Sequence, residues 1–157
     1  MSAHPIDARL AELGITLPEA AAPAANYVPY VIVGDLVYVS GQVPIGPDGF
    51  ITGKLGDGMT ADEGMAIARI CGISLLAQVR SALGGDFSRL KRAVKLTGFV
   101  NSTPDFGEQP KVINGASDLM VEVLGEAGRH SRSAVSAAAL PFGVAVEVEG
   151  IFQIEPE

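Results

Sequence analysis

Arg132, in Gly128-Arg129-His130-Ser131-Arg132-Ser133-Ala134-Val135, and Glu147, in Val144-Ala145-Val146-Glu147-Val148-Glu149, both set charge against apolar sequence. A guanidinium is the side chain best shaped to hold a carboxylate, because its N–H fork matches the two oxygens in parallel hydrogen bonds. An arginine entering an apolar strand is nonetheless most often a surface ion pair. Glu147 and Glu149 share strand parity, opposite to Val144, Val146 and Val148, which by itself describes a solvated strand face. Periodicity leaves both readings open.

Other reactive residue types have plainer explanations. Cys71, the single cysteine, sits mid-helix among apolar neighbours and reads as a small buried hydrophobe, not a thiolate nucleophile. Asp62 and Glu63 fit a helix start, where carboxylates cap free N–H groups and favour the positive end of the dipole. His4 and His130 are too few and too far apart for the three or four convergent ligands a first-row metal wants. No phosphate loop, Gly-x-Ser-x-Gly elbow, Cys-x-x-Cys pair or His-Glu-x-x-His helix occurs. No metal or cofactor site is expected.

The elements that must carry Arg132 and Glu147 follow from pattern. Ala8, Leu10, Ala11 and Leu13 before Gly14 predict a short opening helix, and Pro18 to Ala25 an Ala/Pro-rich connector, so that residues 1–25 precede a main domain over 26–157. Tyr30 to Val33 and Leu36 to Ser40 predict a hairpin closed by Gly34-Asp35. Gly46-Pro47-Asp48-Gly49 predicts a turn, and Gly53 to Gly58 a loop too rich in glycine for regular structure. Thr60 to Glu63 is a capping box that opens a long helix, with Met65, Ala68, Gly72, Leu76, Val79 and Leu83 on its apolar side and Gly84-Gly85 as exit. Ala93 to Val100 predicts a strand with Val94, Leu96, Gly98 and Val100 on one face. Pro110 starts a second long helix with Val112, Ile113, Ala116, Leu119, Met120, Val123 and Leu124 as its stripe. Ser133 to Ala138 and Val144 to Ile154 predict the last strands, joined through Leu140-Pro141-Phe142-Gly143.

Both long helices follow strands as crossovers, which pack on one side of a sheet and leave the other face uncovered. If that face is rich in Ala, Val and Leu, self-association is the simplest way to remove it from water. The 157-residue chain is one domain's worth. A net charge of -7 argues against a nucleic-acid partner, since that affinity depends on Lys and Arg displacing counterions. One cysteine suits a reducing compartment, and Met1 to Leu13, with His4, Asp7, Arg9 and Glu12, offers no apolar leader or membrane anchor, so a cytoplasmic location is expected.

Val39-Ser40-Gly41-Gln42-Val43-Pro44, then Arg132-Ser133-Ala134-Val135, Leu140-Pro141 and Val146-Glu147-Val148-Glu149 together resemble the signature of the Rid, or YjgF-like, family over about Tyr27 to Ile154. The resemblance implies a chorismate-mutase-like α+β fold, a mixed sheet with two long helices on one face, assembled as a homotrimer with sites between subunits. It further implies that Arg132 binds the carboxylate of a 2-imino or 2-enamino acid, which water hydrolyses to a 2-keto acid and ammonia. By the same likeness Glu147 positions the water, Tyr27 lines the cleft, and Ser40 and Gly41 form a site wall. Asn114 lies near the same cleft, and Ala134, where many relatives carry cysteine, offers a backbone contact. His130-Ser131 before the arginine, Asn26 before the tyrosine and the opening helix mark a divergent branch.

Three functions compete. An imine or enamine deaminase ranks first; the alternative is a non-catalytic binding protein for small carboxylate metabolites, which would have no need of an acid facing its ligand. A ribonuclease is weighed down by the net charge and by the lack of a paired histidine site.

Overall fold

The computed structural model describes residues 4–23 and 25–157; Met1–Ala3, at the chain start, and Ala24, inside the connector, lie outside them. Pro5 in the first turn and Gly14 at φ +69° bound helix α1 (Pro5–Glu12), whose Ile6 and Leu10 are buried. Arg9 Nε donates to the Glu122 carbonyl at 2.8 Å, docking this helix on a later one.

Gly34, at φ +61°, turns the chain between β1 (Tyr30–Val33) and β2 (Leu36–Gln42) as predicted. A second hairpin joins β3 (Ile45–Gly46) to β4 (Gly49–Phe50). The Gly53–Gly58 stretch is less irregular than its composition predicts: Gly56 and Gly58, both at positive φ, fold it back so that β5 (Lys54–Leu55) pairs with β6 (Gly58–Met59).

The capping box is formed, with Thr60 Oγ1 accepting from Glu63 N at 3.3 Å and Glu63 Oε2 accepting from Thr60 N at 2.8 Å. It opens α2 (Ala61–Ala82), and β7 (Leu90–Asn101), α3 (Gln109–Leu124), β8 (Ser131–Ala137) and β9 (Val146–Ile154) follow, with short 3-10 turns at Gly125–Gly128 and Pro141–Gly143. The main sheet has the order β1-β2-β9-β7-β8, with β7 and β8 parallel and its other neighbours antiparallel. Both β2 and β7 run against β9, so they point the same way, and α2 and α3 return the chain across one face.

That face is the core, built from Val37, Val39, Leu96, Val100, Val146, Val148 and Phe152 of the sheet under Leu75, Leu76, Ile113 and Met120 of the helices. Helix α2 is long and apolar enough to cross a membrane, but half of that stretch is buried, against α3 and the sheet. One parity expectation fails. A register shift between Ala93 and Lys95 places Ala93 in the core and takes Val94 off the face of Leu96, because a bulge inserts one residue and reverses the alternation. The opposite face carries Val31, Val33, Tyr38, Phe99, Val135 and Ile151 interspersed with Thr97, Glu147 and Glu149, a mixed surface in place of a run of Ala, Val and Leu.

The two long helices touch through small residues. A Cβ on Gly72 would meet Leu119 Cδ2 at 2.9 Å and Ala116 Cα at 3.3 Å, and one on Gly115 would overlap the Met65 carbonyl. Backbone cannot yield as a side-chain tip does. Gly115→Ala should therefore destabilise the fold by about 3 kcal/mol, lowering Tm by roughly 10 °C in a calorimetric scan. An unchanged Tm would mean that the helices separate freely at this crossing.

Candidate functional site

Strand register decides where each candidate side chain emerges. Arg132 is in register with Leu96 and, across β7, with Gly150, all on the helix side of the sheet. Its strand starts at Ser131, two residues earlier than the sequence predicts, so Arg132 lies within the strand and not at its entry. Its Nη1 donates to Asn114 Oδ1 at 2.7 Å and to Ser117 Oγ at 3.2 Å, both on α3. Ala134, two residues on and in register with Gly98, faces the same side and packs against the core.

His130 completes this cluster. Its Nδ1 lies 2.6 Å from the Gly128 carbonyl, which only accepts, so the ring donates there, and its Nε2 lies 2.9 Å from the Ser117 hydroxyl. The Ser117 oxygen also accepts from Arg132, which ties the ring to the guanidinium. Among the described residues, none of the ion pairs includes Arg132. The guanidinium is part-buried, held by two neutral groups, and lines a shallow hollow of about 290 Å³ together with Arg129 and Asp118. Asn114 belongs to the candidates read from the sequence; Ser117 and His130 do not, although the three-residue spacing of Asn114 and Ser117 on one helix face was a usable signal.

Glu147 lies in a different row. It is in register with Phe99, and through it with Val135, on the face away from the helices. Three residues of rise and two strand spacings separate its backbone from that of Arg132 by roughly 14 Å. Within one chain the two side chains therefore leave opposite faces of the sheet and do not meet. What the structure does gather around Glu147 is Tyr27, Ser40 and Gly41, in one cleft of about 160 Å³. Ser40 Oγ donates to the Val28 carbonyl at 2.7 Å and Ser40 N to the Pro29 carbonyl at 2.9 Å, so this residue pins the segment that carries Tyr27. Gly41 leaves the space the carboxylate uses: a Cβ there would sit 2.7 Å from Glu147 Oε1.

Burial pushes the Glu147 carboxyl up from the usual carboxylate range, and the neighbouring charge of Glu149 adds to the rise. Cys71 is fully buried, its thiol pushed far up by burial and then by the charge of Glu147, as suits the small hydrophobe its sequence context predicts. Sequence reasoning missed two further parts of the Glu147 cleft. Ala21 to Pro23 of the connector form one wall, held by Gln78 Nε2 donating to the Ala21 carbonyl at 2.8 Å. Phe50 and Phe142 form another.

A five-stranded mixed sheet, covered on one face by two crossover helices and carrying Arg132 on its edge strand, defines an α+β protein of the chorismate-mutase-like class. Residues 7–150 match the family model described as "YjgF/chorismate_mutase-like, putative endoribonuclease". The chain belongs to this YjgF-like, or Rid, family. It is 52% identical to Protein TCP17 of Trypanosoma cruzi over 95% of this chain and 94% of that protein, and 30% identical to Protein HMF1 of Saccharomyces cerevisiae over 84% and 87%. Among solved structures it matches the protein Atu1372 from Agrobacterium tumefaciens with a TM-score of 0.89 and 49% identity, covering 96% of this chain and 93% of that one. It matches RidA from the Antarctic bacterium Psychrobacter sp. PAMC 21119 with a TM-score of 0.57 and 29% identity, covering 87% and 94%.

Proposed function

We propose that this chain is an imine or enamine deaminase, hydrolysing reactive 2-imino or 2-enamino acids to 2-keto acids and ammonia in clefts between the subunits of a homotrimer. The observation that carries the proposal is Arg132, part-buried, oriented by Asn114 and Ser117, and lacking a carboxylate partner among the described residues. Because Glu147 leaves the other face of the same sheet, a complete site needs Arg132 of one copy beside Glu147 of the next. The mixed apolar face, with Val33 60% and Val135 45% exposed, supplies surface for that association. E. coli TdcF, which matches this chain with a TM-score of 0.60 and 25% identity over 88% of this chain and 94% of that one, has been solved with bound serine, a ligand carrying the carboxylate this reading requires.

The chemistry asks little of the protein. Arg132 fixes the substrate carboxylate, and the Glu147 carboxylate takes a proton from water as the oxygen adds to the imine carbon. Glu147 then returns that proton to the carbinolamine nitrogen, and the C–N bond breaks to release ammonia as the hydroxyl, losing its proton, becomes the keto acid carbonyl. Positioning and one general base suffice, since the protonated imine is itself electrophilic. A binding protein that does not turn its ligand over would have no use for a desolvated carboxylate at the cleft. The test generates 2-imino acids in situ with an amino-acid oxidase and follows keto-acid release; release no faster than in buffer would leave the binding reading.

The sign of the pH dependence follows from Glu147. A general base works ionised, and its pKa is raised by burial and by Glu149, so turnover should fall as pH drops through a midpoint above the ordinary carboxylate range. Glu149→Gln removes one cause of the rise and should move that acid limb to lower pH. A limb unmoved by this change would place the base elsewhere.

A further inference from the structure

Phe50 and Phe142 belong to the Glu147 cleft, yet hydrolysis at the imine carbon gives them no task. Their rings lie parallel, 6° apart in plane with centroids 4.6 Å apart, one from the β3–β4 hairpin and one from the turn between β8 and β9. Both remain open to solvent, Phe50 at 43% and Phe142 at 57% exposure, so burial in the core does not explain their presence. Phe142 is also the one non-glycine among the described residues with positive φ, at +61°. A left-handed backbone disfavours any L side chain, and such strain gathers where a side chain is held out for a purpose. Gly143, next in the chain, is also at positive φ, +72°.

The remaining cleft wall is mostly apolar as well, with Ile45, Pro141 and connector residues Ala21 to Pro23. A cleft of about 160 Å³ is large enough for a benzene-sized group, whereas a methyl group would leave most of it filled with water. Flat aromatic faces with free area attract another ring by offset stacking.

We infer that the Phe50–Phe142 pair is the side-chain subsite of this cleft, and that the chain selects imino acids with bulky apolar, above all aromatic, side chains over those with small ones. The inference rests on the deaminase reading for the reacting end of the ligand and adds the other end. Phe142, which shares the cleft with Glu147, sets the selectivity through its ring. Transfer of a ring from water to such a subsite corresponds to a preference of roughly 10- to 100-fold.

The experiment compares kcat/KM for imines generated from phenylalanine and from alanine, in the wild type, Phe142→Gly and Phe50→Leu, with sedimentation of each variant. Glycine keeps the backbone angle that residue 142 requires, so this variant relieves strain and removes the ring without threatening the fold. The expected wild-type ratio favours the phenylalanine imine about tenfold or more, and Phe142→Gly should collapse it chiefly through KM. No wild-type preference, a preference that survives both variants, or loss of assembly on removing the ring would overturn the subsite. Should neither imine be turned over, the deaminase reading fails on its own. The subsite is then decided by calorimetric affinity for phenylpyruvate against pyruvate, where equal affinity, or a preference unaltered by Phe142→Gly, overturns it.

Discussion

Arg132→Ala should lower kcat/KM for 2-imino acids by two to three orders of magnitude while leaving the fold intact. The guanidinium takes one face of its binding from Asn114 and Ser117, which spend only Nη1, and the rest of its N–H fork is left for the ligand. Truncating one partner of a hydrogen-bonded charge pair costs about 2–5 kcal/mol, and every tenfold in rate is about 1.4 kcal/mol, which gives the size of the expected loss. Most of the effect should fall on KM, because the carboxylate is held alike before and during water attack. Arg132→Lys should recover little, since an ammonium is a point charge without the planar fork. The measurement is keto-acid release across a substrate series; a variant within a fewfold of the wild type would remove the arginine from the site.

Glu147→Gln should lower kcat by about 10²-fold or more with KM nearly unchanged, the signature of losing a general base. Glutamine has the size of glutamate and meets Gly41 in the same way, so the loss would report the charge and not the packing. The same change should raise thermal stability at neutral pH. In the folded protein the carboxyl is pushed above its unfolded pKa, so its ionised form disfavours folding. That penalty is absent at low pH and develops as pH rises from the unfolded pKa through the folded one. A variant slower in turnover and higher in Tm above this window, but equal in Tm below it, would show that the site gives up stability for a poised base. A Tm unaltered at all pH values would contradict the desolvation argument.

Much of this was legible in the residues. The capping box at Thr60, the proline at 110 and the glycine pair at 84 and 85 act within a turn of backbone, and each produced the boundary it predicts. The shared parity of Glu147 and Glu149 is likewise a local property of one strand, and it survives in their electrostatic coupling. What could not be read depends on register between distant strands. Whether Arg132 faces the helices or the open side follows from its pairing with Leu96, and the bulges near Ala93 and between Val39 and Gln42 break the alternation on which parity arguments rest. The folding of the connector over the cleft is set by a contact from Ala21 to Gln78, far apart in sequence and without a motif. The left-handed Phe142 was hidden because no local pattern calls for a bulky residue at positive φ.

The proposed homotrimer makes one demand that no site within a single chain would share. If each site takes Arg132 from one copy and Glu147 from the next, Arg132→Ala and Glu147→Gln subunits complement one another. Refolded together in equal amounts, they should regain about a quarter of wild-type keto-acid release, because each interface has one chance in four of receiving both intact residues. A mixture that stays as inactive as its two parents, once mixed assemblies are verified by differential tags, would contradict a shared site.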